Sequence, residues 1–169
     1  MKRTMCQLFM VSALAAQALF GIDNLKLNQK LDYQSDSIDG PLITGDDAQS
    51  GFLPGRTNYV IIYGEGCFNS KRQARRTVDL YNKYRDQVHF VVVDLDVRRS
   101  PEQQQLVKQY YKGYIPHVVV LDTNGRALYN MDGEVDSRVI ERLFEKSFAQ
   151  SRQPSTGSVA ESRVVSASR

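Results

Sequence analysis

Cys67 stands three residues before Ser70 and at the head of a basic run containing Lys71, Arg72, Arg75 and Arg76. Those residue types at that spacing suit thiol chemistry. Only the thiolate is nucleophilic, and a free cysteine titrates near about 8.5. On the first turn of a helix, unpaired backbone N–H groups and the helix dipole stabilise an anion, and neighbouring cations add positive potential. The plainer alternative is a small apolar filler at a strand end, a common place for cysteine. Glu65, Gly66, Asn69 and Ser70 around it are not core-like, which favours the reactive reading.

Cysteine usage sharpens the point. The chain opens with Lys2 and Arg3, an apolar stretch from about Met5 to Leu14, and the small-residue triplet Ala16-Gln17-Ala18. Residues 1–18 read as a secretory signal cleaved after Ala18. An uncleaved anchor fits less well, because the stretch is short of the roughly 20 apolar residues a bilayer needs and contains Gln7 and Gln17. Cys6, which lacks the pattern of a lipid-attachment site, leaves with the signal. An exported, periplasmic or secreted chain with Cys67 alone cannot close an internal disulfide, so that thiol is free or pairs with another molecule. No stable membrane span is expected after cleavage.

The remaining composition excludes more than it suggests. In 169 residues, 41% hydrophobic and 24% charged, one ordinary core is expected. Net charge is +3, and removing Lys2 and Arg3 from the 22 basic residues leaves 20 against 19 acidic ones. That balance gives no argument for a nucleic-acid partner.

The elements that must position Cys67 follow from pattern. Residues 19–56 are polar and turn-rich and are expected to wrap the domain as an irregular arm. Asn58 to Gly64 is a short β-branched and aromatic run, a buried strand. A helix is predicted over about 69–87, with Ala74, Val78, Leu80, Tyr81 and Tyr84 inward and the basic residues on a solvated face, or a face that docks an acidic partner. Val88 to Val97 is a second buried strand. Ser100-Pro101-Glu102 begins a second helix, expected to stop at Gly113. His117 to Asp122 is a third strand, Asn124-Gly125 a hairpin turn, and Arg126 to Asn130 a fourth strand. A last amphipathic helix runs from about Ser137 to Phe148, and the Ser- and Arg-rich residues 150–169 read as a disordered tail.

This order is an α/β layout with a central mixed sheet flanked by helices. With Cys67-Phe68-Asn69-Ser70 opening a helix after a buried strand, Ile115-Pro116 just before another, and the Asn124-Gly125 hairpin, residues 57–149 resemble the thioredoxin family. The resemblance implies a cis Ile115–Pro116 bond lying against Cys67, with Phe68, Asn69, Ile115 and Pro116 as the substrate-binding surface and Cys67 and Ser70 as the reacting pair of positions. It implies partners that are protein or peptide thiols and disulfides, and no cofactor.

Departures from the family pattern limit the chemistry. Ser70 stands where a dithiol member has its second cysteine, so a mixed disulfide cannot be resolved within the chain and an external thiol is needed for turnover. Gly66 replaces the usual aromatic residue, Phe68-Asn69 the usual Gly-Pro, and Ile61 the buried acid that manages protons. A monothiol glutaredoxin would tolerate Ser70, but Met131-Asp132-Gly133-Glu134 is too weak a glutathione signature.

Other motifs carry less. "GEGCFNSK" lacks the glycine before Lys71 and the hydroxyl after it that a phosphate loop requires. Asp94-Leu95-Asp96 reads more simply as a solvated or turn-capping pair than as metal ligands, so no metal is expected. His117 follows the proline, but strand alternation turns it away from Cys67. His89 is a strand residue. Two functions from different classes remain: an exported monothiol thiol-disulfide oxidoreductase or isomerase using Cys67, and a non-catalytic module binding an extended peptide beside Pro116.

Overall fold

A computed structural model describes residues 24–152, apart from 46, 47 and 49. The expected signal and the tail from residue 153 onward lie outside the described residues; residues 150–152, expected to be disordered, continue the last helix.

Nine elements follow the chain: β1 (Lys26–Leu27), β2 (Ile43–Thr44), β3 (Thr57–Tyr63), α1 (Phe68–Tyr84), β4 (Val88–Asp94), α2 (Pro101–Tyr110), β5 (His117–Leu121), β6 (Ala127–Asp132) and α3 (Ser137–Arg152). The main sheet has the order β4-β3-β5-β6. β3 pairs with β4 in parallel, Thr57 opposite Val88 through Tyr63 opposite Asp94. β5 runs antiparallel to both β3 and β6. Every residue of β3 is buried because neighbouring strands take its backbone groups and helices cover both faces, which is why it reads as a continuous apolar run rather than an alternating one. This is the expected α/β layout, with a mixed sheet between helices.

Side-chain alternation sorts the core into two layers. Tyr59, Ile61 and Tyr63 of β3 face α1 and α3, meeting Ala74, Val78, Tyr81, Ile140 and Phe144. Val60 and Ile62 face α2, meeting Leu106 and Tyr110. Polar contacts fix the registers. Thr57 and Ser147 hydroxyls meet at 2.7 Å, joining β3 to α3. Gln73 donates to the Tyr59 hydroxyl at 3.2 Å and accepts from Val135 N at 2.9 Å, joining α1 to the segment before α3. Burial pushes the Tyr59 hydroxyl up to about 12.

Helix ends match local chemistry. Ser100 and Gln103 form a reciprocal capping box with Pro101 at the first position of α2. That helix ends at Tyr110, three residues before the expected glycine stop, because Tyr111 is already extended.

The arm does more than wrap. β1 and β2 form a small antiparallel pair, and Leu25, Tyr33, Leu42 and Ile43 are buried in the α1 layer of the core. Leu42 N donates to the Tyr63 hydroxyl at 3.1 Å, so the arm is attached at the end of β3 that leads to Cys67.

Candidate functional site

Cys67 is the N-cap of α1, with extended backbone (φ −100°, ψ 118°), and its side chain caps nothing. β3 ends at Tyr63, three residues separate the strand from the cap, and the cysteine lies just beyond the C-terminal end of this inner strand, half-buried and free. No acidic residue occupies the first turn of α1, so the positive end of that helix is uncompensated there.

The Ile115–Pro116 bond is cis, and the Cys67 thiol lies 3.9 Å from the Ile115 carbonyl oxygen, a weak S–H···O contact. Gly64 lies against the same loop: a Cβ there would sit 2.7 Å from Ile115 Cδ1. Gly133 N donates to the Pro116 carbonyl at 2.7 Å, holding the loop against the start of the segment that leads to α3. Cys67, Ile115 and Pro116 are thus neighbours. Phe68 is partly exposed on the first turn, under the Arg72 guanidinium, whose Cζ lies 5.0 Å from the ring centroid. Asn69 is exposed and accepts from Arg72 Nη2 at 3.1 Å. Ser70 is fully buried, and its hydroxyl has no hydrogen-bond partner among the described residues.

The basic run is not the uniform solvated face expected. Arg72 and Arg76 both pair with Glu134, Arg76 at 3.0 Å, and Arg75 lies over the Tyr33 ring. A carboxylate already claims the pair that an acidic partner would have used. The larger correction is Lys71, which is fully buried. Its ammonium donates to the carbonyls of Asp32 at 2.6 Å and Ser37 at 2.9 Å, with Ser37 Oγ at 3.3 Å. The signal was present in the sequence: Lys71, Ala74, Val78 and Tyr81 share one helical stripe, and a lysine on an apolar stripe needs partners from elsewhere in the chain.

Ile61, at the place of the family's acid, is buried among apolar side chains. Carboxyl groups gather instead at the ends of β3 and β4. Glu65 and Asp94 are both buried, and Glu65 N donates to Asp96 Oδ2 at 2.7 Å. Burial, then the charge of Asp94, raises the Glu65 carboxyl above the ordinary range. Burial likewise raises Asp94, beside the Tyr63 hydroxyl, Glu65 and Asp96. Asp94 is therefore buried rather than solvated, while its Oδ1 caps the turn as expected, accepting from Asp96 N at 2.9 Å. Among the described residues no group of three or more His, Cys, Asp or Glu is arranged to hold a metal ion.

A raised carboxyl binds its proton more tightly in the native than in the unfolded chain. Stability is then full below about pH 4, where unfolded carboxyls are also protonated, and falls as pH rises through the raised native values of Glu65 and Asp94. Asp94→Asn is expected to flatten that fall, read as urea midpoints between about pH 4 and pH 8. An unchanged slope would remove Asp94 as its source.

His117 shares the α2 face with Val119 and Leu121. Its Nε2 meets Asn130 Oδ1 at 2.7 Å, and the ring stands edge-on to Tyr111. His89 Nε2 meets the Gly51 carbonyl at 2.9 Å.

No family model matches the chain. Over 112 residues it is 31% identical to the thiol:disulfide interchange protein TxlA homolog of Synechocystis, spanning 66% of this chain and 60% of that relative. The chain thus spans less than two thirds of the length of the curated relative it matches. Among solved structures, thioredoxin-2 of a malaria parasite superposes with a TM-score of 0.47 at 18% identity, covering 56% of this chain and 86% of the parasite protein. Chloroplastic thioredoxin z gives 0.46 at 18%, covering 56% and 80%. The germline-specific Deadhead thioredoxin of Drosophila gives 0.43 at 21%, covering 54% and 81%. The sequence likeness to the interchange protein, together with the mixed sheet between helices, supports a thioredoxin-like family for this chain.

Proposed function

We propose that this protein is an exported monothiol thiol-disulfide oxidoreductase or isomerase in which Cys67 is the nucleophile. The observation that carries the reading is the seat of Cys67: a free, half-buried thiol at the N-cap of α1, 3.9 Å from the Ile115 carbonyl of the cis-proline loop. Likeness to an interchange protein supports the class of reaction, and the first 18 residues support export.

In the first step the Cys67 thiolate attacks one sulfur of a substrate disulfide. A Cys67–substrate disulfide forms, the substrate's own S–S bond breaks, and the leaving sulfur departs as a thiolate that takes a proton from water. Ser70 cannot attack this adduct, because a hydroxyl does not displace a thiolate from a disulfide. A second thiol must do so. When it is another cysteine of the substrate, Cys67 is released and the substrate disulfide is rearranged without net oxidation. When it is an external thiol, repeated exchange reduces the substrate disulfide while two external thiols become one disulfide.

Alkylation tests the reading. Protein recovered from an exporting host is expected to begin at Leu19 and to take one alkyl group, by intact mass. At pH 6 Cys67 is expected to alkylate faster than a small model thiol and to form mixed disulfides with a disulfide-containing peptide. Alkylation no faster than the model thiol, with peptide binding unchanged in Cys67→Ala, would replace the redox assignment with a non-catalytic peptide-binding module.

A further inference from the structure

Gly66 leaves a space immediately before Cys67, and the arm fills it. A Cβ at position 66 would lie 2.6 Å from Ile38 Cγ1, so the Ile38 side chain lies directly against that backbone. Yet Ile38 is 75% exposed, so it covers Gly66 with one edge and offers the rest of its surface to solvent. A lone exposed isoleucine means little by itself. Its place is what matters, because Phe68 and Tyr114 are also exposed and stand one residue from Cys67 and Ile115. Three separate segments thus place an exposed apolar residue beside Gly66, next to Cys67 or next to Ile115, whose carbonyl meets the thiol.

Ile38 is also held in place from both sides. Lys71 grips the Ser37 carbonyl and hydroxyl from within the core. Ser37 Oγ continues to Ser35 Oγ at 2.9 Å and to the Asp39 carboxylate. Beyond it, the Gly40 backbone lies near enough to the Glu65 carboxyl to favour its charged form, against the larger effect of burial. Two buried charged residues on either side of Cys67 in the sequence therefore position the loop that carries Ile38. A contact made by a pre-ordered side chain costs little entropy on binding.

We propose that Ile38 is a specificity-determining residue of the thiol site, contacting an apolar side chain next to the disulfide of an extended peptide substrate. The inference rests on the proposed exchange chemistry of Cys67. Ile38 forms a wall of the site supplied from outside the sheet-and-helix domain, over the position where Gly66 has no side chain.

The test uses two cystine peptides identical except for Leu or Ser beside the disulfide, with the rate of mixed-disulfide formation at Cys67 as readout. Wild type is expected to favour the Leu peptide. Ile38→Ser is expected to slow the Leu peptide about five- to tenfold, the effect of uncovering two partly buried carbons. It should leave the Ser peptide and iodoacetamide rates unchanged. Gly66→Phe in the Ile38→Ser background is expected to restore preference for the Leu peptide by supplying an apolar surface from the other side of the same gap. If the Leu-to-Ser ratio is the same in wild type and Ile38→Ser, the inference is overturned while exchange at Cys67 stands. If iodoacetamide modifies wild-type Cys67 but neither peptide reacts, the exchange reading itself fails and takes this inference with it.

Discussion

Ser70→Cys shortens the lifetime of Cys67–substrate mixed disulfides by roughly two orders of magnitude or more, because an oriented intramolecular thiol outcompetes millimolar external thiol. Position 70 lies one helical turn along α1 from the cap at Cys67, and residues three apart on a helix are neighbours. It is fully buried, and the native hydroxyl has no hydrogen-bond partner among the described residues. A buried, unsatisfied hydroxyl costs about 1–3 kcal/mol, and a thiol tolerates apolar surroundings better. The substitution should therefore leave the fold as stable as wild type or more so, and a change in turnover can be read as chemistry. The measurement is decay of a purified adduct by mass spectrometry, alongside disulfide reduction with an external reductant. Recovery of turnover should stay partial, since the buried Ile61 provides no carboxyl to manage the proton. Adducts as persistent as those of wild type would show that the sulfur at 70 cannot reach Cys67, removing this turn of α1 from the exchange pathway.

Lys71 is expected to give the largest stability effect. Lys71→Ala deletes a fully buried four-carbon stem and three contacts from one ammonium to the arm. A buried truncation of that size with loss of charge-assisted bonds costs about 3–5 kcal/mol. Lys71→Met keeps most of the stem, and it also spares the desolvation cost of an ammonium that has only carbonyl and hydroxyl partners. It should recover at least half of the loss in urea unfolding. Both variants free the Ser37 carbonyl, so cleavage by a nonspecific protease between Asp32 and Gly40 should accelerate by about tenfold, the effect of losing about 1.4 kcal/mol of local stability. If Lys71→Ala unfolds at the wild-type urea midpoint and the arm is no more readily cut, the lysine does not anchor the arm.

The domain elements were legible because they obey local rules. A continuous apolar run such as Tyr59 to Tyr63 has no stable place except a strand covered on both faces. Ser100, Pro101 and Gln103 mark a helix start by their own hydrogen-bonding capacity. Cys67 was equally legible, since its position between a strand and a helix start follows from the same patterns. The arm was not. Its two-residue strands and buried Leu25, Tyr33, Leu42 and Ile43 carry no periodicity, because each is held by a partner far along the chain.

What the sequence alone determined, then, is the thiol at position 67, its seat at a helix start, the absence of a second cysteine at 70, and the order of strands and helices around it. Tertiary structure decided which charges near Cys67 are free to act. Lys71 turns into the core to hold the arm, Arg72 and Arg76 are taken by Glu134, and Glu65 and Asp94 sit buried together rather than solvated. A charged side chain is read from sequence as facing water because water is its cheapest partner. Whether the folded chain provides a carbonyl, a carboxylate or a second carboxyl instead depends on segments tens of residues apart, whose approach is set by the packing of the whole molecule.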